Sequence, residues 1–289
     1  MIFGLPNVGS DEAGFWALAS LWQAAEPVEY GKLELDLTRC NLFDANMCAA
    51  LGAVLARIAD RFNVIEIVSV RPDVESVLCR NGFLTQFGYP SKDDQQGTAL
   101  PYRRLRLTDV GRFEDYLAGN LVGKGIPEMA AGFGRVFRQS LFEIFQNAVQ
   151  HSESRFGAFV CGQFYPTRHQ LDISIADAGV GIPANVERFL GQHLLPEQAL
   201  GWALQEGHTT KRGRLPGGVG LKFLKDFVKK NGGRLTIGSG GGYYIHSEQY
   251  DSVQPLGLPL PGTVINLTID TADTQRYALD GDVSPESIF

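Results

Sequence analysis

The stretch Leu171-Asp-Ile-Ser-Ile175 alternates apolar and polar residues and runs straight into Asp177-Ala-Gly179-Val-Gly181-Ile182-Pro183. A period of two marks a strand with one buried face. Here the strand must end at a carboxylate and then turn through two glycines. Read from these residues alone, the junction is either a strand-to-turn boundary with an Asx-type cap or a loop that reads something other than phosphate. A carboxylate is the wrong group to offer a phosphate, so the glycines by themselves do not decide between the two.

A helix is expected before that strand, over Arg135 to His151. Leu141, Phe145, Ala148 and Val149 recur at helical spacing and form its core face, widened by Phe142. Glu143 and Asn147 are four residues apart and stack on a different face, with His151 one turn further on. Such a face is usually just solvated. An Asn in mid-helix is nonetheless a poor helix former. A third motif, Pro216-Gly-Gly-Val-Gly-Leu-Lys-Phe223, opens a helix expected over about Val219–Asn231, which Gly232-Gly233 ends. Exposed amides and the dipole at such an N-terminus suit an anion. The rest of this half reads as strands near Gly157–Tyr165, Gln170–Ala176, Arg234–Ile237 and Thr263–Ile269, with a loop-rich insertion over 183–216.

The first half has a different rhythm. An amphipathic helix is expected over residues 12–24, then a half-buried strand Lys32–Leu37 and a helix over 45–62. A second strand Val64–Val70 and a helix Pro72–Arg80 follow, the proline standing at its favoured first position. Pro90 to Gly97 is polar and reads as a loop, Tyr102–Leu107 as one more strand, and a linking helix around Phe113–Ala118 falls at a composition shift. These signals divide the chain into 1–108, 109–270 and an acidic, mobile tail over 271–289.

Composition narrows the function classes. The net charge of −6 argues against non-specific nucleic-acid binding, which needs a basic face. No apolar run reaches the ~18 residues of a membrane span, and the first residues lack the pattern of a signal peptide. Cys40, Cys48, Cys79 and Cys161 form no CxxC pair and have no His at ligand spacing, so buried thiols in a reducing cytoplasm are expected.

Taken together and in this order, helix ExxxNA, DxGxGI, GGxGL and Gly262-Thr263 before a final strand resemble the GHKL ATPase superfamily. That group includes histidine kinases, anti-sigma-factor serine kinases, DNA gyrase B and MutL. The resemblance implies a Bergerat-fold α/β sandwich over 109–270, a mixed sheet covered by helices on one face, with ATP and Mg²⁺ as cofactors. It implies Asn147 as the metal-holding residue and Asp177 as acceptor for the adenine amino group, supported by Thr263. Gly179 and Gly181 would let the backbone approach the base, and Gly218, Gly220 and Leu221 would form the phosphate loop. Lys211, with Arg212 and Arg214, falls in a segment like the family's nucleotide lid, or is simply an exposed basic loop. Glu143 would be the general base for a water or a hydroxyl. The chain departs from the pattern at Lys222, where many members carry a third glycine.

The first half, over roughly 30–85, resembles a STAS domain, the fold of anti-sigma-factor antagonists, so the first domain is expected to be a STAS-like α/β unit. In that family the turn before the helix carries a phosphorylated Ser or Thr. Here it reads Phe43-Asp-Ala-Asn-Met47, without a hydroxyl. None of the five histidines precedes the helix motif, so the usual histidine autophosphorylation is not expected, and about 26 residues after Thr263 leave little for a gyrase-like second domain. The resemblance thus implies an ATP-binding regulator of bacterial partner-switching type, an ATPase or protein serine/threonine kinase with a protein partner or a homodimer. The alternative is an ATP-sensing module with little turnover.

Overall fold

The computed structural model describes residues 1–150, 152–208, 219–280 and 282. Three strands, β1 (Ile2–Gly4), β2 (Lys32–Leu37) and β3 (Val64–Val70), form a parallel sheet in chain order. Parallel neighbours need crossovers, supplied by α1 (Glu12–Ala25) and α2 (Cys48–Ala59). Asp11 starts α1 by accepting the Gly14 N–H at 3.0 Å. α3 (Pro72–Arg80) follows β3. Along β2, Leu33, Leu35 and Leu37 are buried while Lys32, Glu34 and Asp36 line the opposite face.

A second sheet holds β4 (Ala99–Leu105), β5 (Ala158–Tyr165), β6 (Gln170–Asp177), β7 (Arg234–Ser247) and β8 (Asp251–Asp270), in the order β4-β5-β6-β8-β7. Every pairing in it is antiparallel, where a mixed sheet was expected. Short turns joining β5 to β6 and β7 to β8 impose that direction on two of the pairs. One face carries α4 (Val110–Leu121), α5 (Ala131–Gln150) and α8 (Val219–Asn231), which share a core with Leu171, Ile173, Ile175, Leu267 and Ile269. Phe145 of α5 is fully buried and stacks on Phe113 of α4 at 4.4 Å.

The other face is covered too, contrary to the one-sided sandwich expected. Phe159, Cys161, Ala176 and Val264 belong to one core with Leu33, Leu35 and the buried residues of α1 and α2. This explains α2, in which every residue from Cys48 to Leu55 is buried. A helix apolar all round needs neighbours on all sides, and α2 lies between two sheets. The layers therefore run parallel sheet, α1 with α2, antiparallel sheet, α4 with α5 and α8. A polar seam crosses the middle. Asn46, fully buried, donates to Ser174 Oγ at 2.8 Å, and Ser174 donates to Asn266 Oδ1 at 2.5 Å.

Other elements depart from what their sequence suggests. The strand expected at 102–107 is β4, which pairs with β5 and so belongs to the five-stranded sheet rather than to the first-half sheet. The insertion expected to be loop-rich contains α6 (Gly181–Leu190) and α7 (Pro196–Ala203). β7 and β8 extend far past their expected ends, as one long hairpin with register shifts at Ser239/Gly240 and Gly240/Gly242. Its glycines admit close neighbours: a Cβ on Gly238 would lie 2.2 Å from Phe15 of α1, and one on Gly242 would lie 3.1 Å from Leu200 of α7. The tail is not loose over 271–280. Tyr277 is buried against Phe133 and Phe227, and its hydroxyl donates to Asp273 at 2.5 Å.

Candidate functional site

The face of the antiparallel sheet under α5 can be followed in cross-strand rows. One row reads Gly162, Ile173, Leu267, Leu235, and the next reads Val160, Ile175, Ile265, Ile237. The row after that reads Ala158, Asp177, Thr263, Ser239. Residues opposite one another in antiparallel strands share a face, so an apolar surface ends abruptly in three adjacent polar side chains.

Asp177 closes β6 and is only 4% exposed. Its Oδ1 accepts the Gly179 N–H at 2.8 Å. Burial pushes its acid up to about 7, with backbone donation from Gly179 and Thr263 pulling the other way. The loop beyond it is held tightly. Val180 N–H donates to the Ser152 carbonyl at 2.9 Å, which fastens the loop to the chain just after α5. A Cβ on Gly179 would lie 1.9 Å from that carbonyl, so the room Gly179 makes is taken by the chain itself. Gly181 begins α6 at φ +82°, and Gly262 has φ +74° with its missing Cβ 2.0 Å from the Asp177 carbonyl.

Ser239 ties these pieces together, although no pattern in its own stretch of sequence marks it. Its hydroxyl accepts the Ile182 N–H at 2.8 Å, donates to the Gly262 carbonyl at 3.0 Å and lies 2.9 Å from Thr263 Oγ1. Its register with Thr263 was the available signal, but that register follows only once β7 is known to pair with β8.

On α5, Glu143 is half-buried and Asn147 exposed. Glu143 Oε2 accepts the Gly220 N–H at 3.0 Å. Gly220 is in the first turn of α8, and its missing Cβ would meet Ser140 Cα at 3.0 Å, so the two helices touch backbone to backbone here. An anionic side chain at a helix N-terminus is favourable. The Asn147 amide has no hydrogen-bond partner among the described residues and shares the Glu143 face, so its side-chain oxygen could serve as one ligand of a hard cation. Leu221 is half-buried against the core of the helix face. Lys222 is paired with Glu206 at the surface. Gly218, Lys211, Arg212 and Arg214 lie outside the described residues.

The structure thus brings Asp177, Gly179, Gly181 and Thr263 into one cluster and Glu143 and Gly220 into a second. Asn147 lies one turn beyond Glu143 on α5, without a hydrogen bond to either cluster among the described residues. No protein-family model and no curated protein matches this chain at a significant level. Among the described residues, no group of His, Cys, Asp and Glu could hold a metal by itself, and no helix is long and apolar enough to cross a membrane.

Proposed function

We propose that this chain is an ATP-binding regulatory protein of the GHKL type, a STAS-like unit joined to a Bergerat-fold unit, with ATPase or protein serine/threonine kinase turnover. The observation that carries the reading is the polar end of the sheet. A buried carboxylate, Asp177, sits beside Thr263 under a loop whose backbone is fixed by Ser152 and Ser239. An ionised carboxylate only accepts hydrogen bonds, and adenine presents an amine where guanine presents a carbonyl. Asn147 would hold Mg²⁺, which would screen the triphosphate, and the start of α8 would receive phosphate oxygens. Glu143 would take the proton of the attacking water or hydroxyl. The nucleotide would lie on the helix face, opposite the first-half unit.

The test is ATP-induced stabilisation with Mg²⁺, read as a rise in melting temperature. Wild type is expected to show the rise and Asp177→Asn to lose it; a rise retained in Asp177→Asn removes the adenine assignment. A second reading, an ATP sensor with little turnover, is favoured by the Glu143–Gly220 hydrogen bond, which engages the candidate base with a helix amide. Measured phosphate release separates the two. The turn that resembles the STAS phosphorylation site is already occupied, because Asn46 is buried against Ser174 of the antiparallel sheet. This supports a fused pair in which the partner-switching surface is bound within the chain, leaving other surfaces for a protein partner or a second copy.

A further inference from the structure

The hydroxyl of Ser239 has one proton and two lone pairs, and its neighbours use all three. The Gly262 carbonyl can only accept, so it takes the proton at 3.0 Å. The Ile182 N–H can only donate, so it takes one lone pair at 2.8 Å. What remains for Thr263 Oγ1, 2.9 Å away, is the second lone pair. Thr263 must therefore be the donor in that contact. Its single proton is committed to Ser239, and only acceptor lone pairs are left on its oxygen. Asp177 stands directly opposite Thr263 on the neighbouring strand, on the same face of the sheet.

From this proton count we infer that Ser239 is a specificity-determining positioning residue, which holds Thr263 as an acceptor beside Asp177 so that the two acceptors take the two N–H groups of an exocyclic amine and refuse a carbonyl in its place. The inference rests on the nucleotide reading above and deepens it. Thr263 would otherwise be indifferent, because a free hydroxyl rotates to donate or accept as the ligand requires. Ser239 itself is fully buried and has no valence left for a ligand, so its effect passes through Thr263.

ATP and inosine triphosphate, which differ only at the purine 6-position and the adjoining ring nitrogen, are the probes. Sites built around a hydrogen bond reject the analogue lacking it by large factors, so wild type is expected to prefer ATP by roughly 100-fold or more in Kd. Ser239→Ala releases the Thr263 proton to face the ligand, and the preference is expected to fall at least about tenfold by gain of inosine triphosphate affinity. Thr263→Val removes the switchable group, and in that background Ser239→Ala is expected to leave the ratio unchanged. A merely structural role for Ser239 would weaken both nucleotides alike and keep the ratio; that result overturns the inference while leaving the nucleotide reading intact. Wild type that binds neither nucleotide overturns both. Should Ser239→Ala fail to fold, Thr263→Val alone is decisive: an unchanged ratio in it overturns the inference, and a lowered one supports it.

Discussion

At the scale of single residues, the chemistry concentrates in Asp177. A carboxylate that is 4% exposed is normally paired with a cation, and here it meets backbone amides instead. Its acid is pushed up to about 7, above the ordinary value of about 3.9 for an unfolded chain. The folded state therefore holds a proton that the unfolded state has released between those two values. Stability falls as pH rises through that window and levels off above about 7. Asp172, buried and pushed up to about 6, adds to the same fall and stops sooner. Without nucleotide, Asp177→Asn is expected to be more stable than wild type at pH 8, on the order of a few kcal/mol, and to lose that advantage near pH 4. Chemical denaturation at several pH values measures it, and a wild type whose stability rises from pH 5 to 8 contradicts it. Nucleotide binding should have the opposite slope, strengthening as the carboxylate ionises. Sequence made Asp177 legible because it breaks an alternating strand. Ser239 was not, because its partners come from two segments far from it in the chain.

At the scale of elements, α5 links the two clusters. Its core face packs on the sheet through Leu141 and Phe145, its polar face offers Glu143 to α8, and the residues after it clamp the Asp177 loop. Glu143→Ala removes an acceptor from the first turn of α8, a loss of about 0.5–2 kcal/mol for a helix cap. If Glu143 is the general base, turnover should fall by about 10²–10⁴-fold with nucleotide binding retained. Phosphate release and calorimetric binding, measured side by side, test this; unchanged turnover removes the catalytic role. The short, strongly patterned elements were legible from end to end. Val64–Val70, Pro72–Arg80 and Val219–Asn231 each carry their own periodicity and punctuation. The β7–β8 hairpin was not, because Gly240–Gly242 and Pro255, Pro259 and Pro261 read as turns. Those glycines serve to admit Pro183 from α6 and Pro196 and Leu200 from α7, a reason that exists only in three dimensions. The direction of the sheet was illegible for a related cause, since pairing belongs to two strands and periodicity to one.

At the scale of the whole molecule, the first half is not an appendage. From Cys48 to Leu55 α2 is buried on every side because it serves two sheets, and Asn46 just before it is tied to Ser174 and through it to Asn266 of the antiparallel sheet. β4 crosses from the first half of the chain into the second sheet. A fragment ending at residue 108 would leave the buried faces of α1 and α2 without a partner and β4 without β5. It is expected to be unfolded or aggregated when expressed alone, and the full chain to melt in one transition; circular dichroism of the fragment and calorimetry of the chain decide. The same layering puts the Asp177–Thr263 cluster and the parallel sheet with its helices on opposite faces of the antiparallel sheet. The polar end of this sheet is the proposed adenine site. The most direct measurement is calorimetric titration of the full chain with ATP and Mg²⁺ at pH 8, beside Asp177→Asn. One site per chain in wild type and none in the variant is the result predicted; equal binding by both, or by neither, contradicts it.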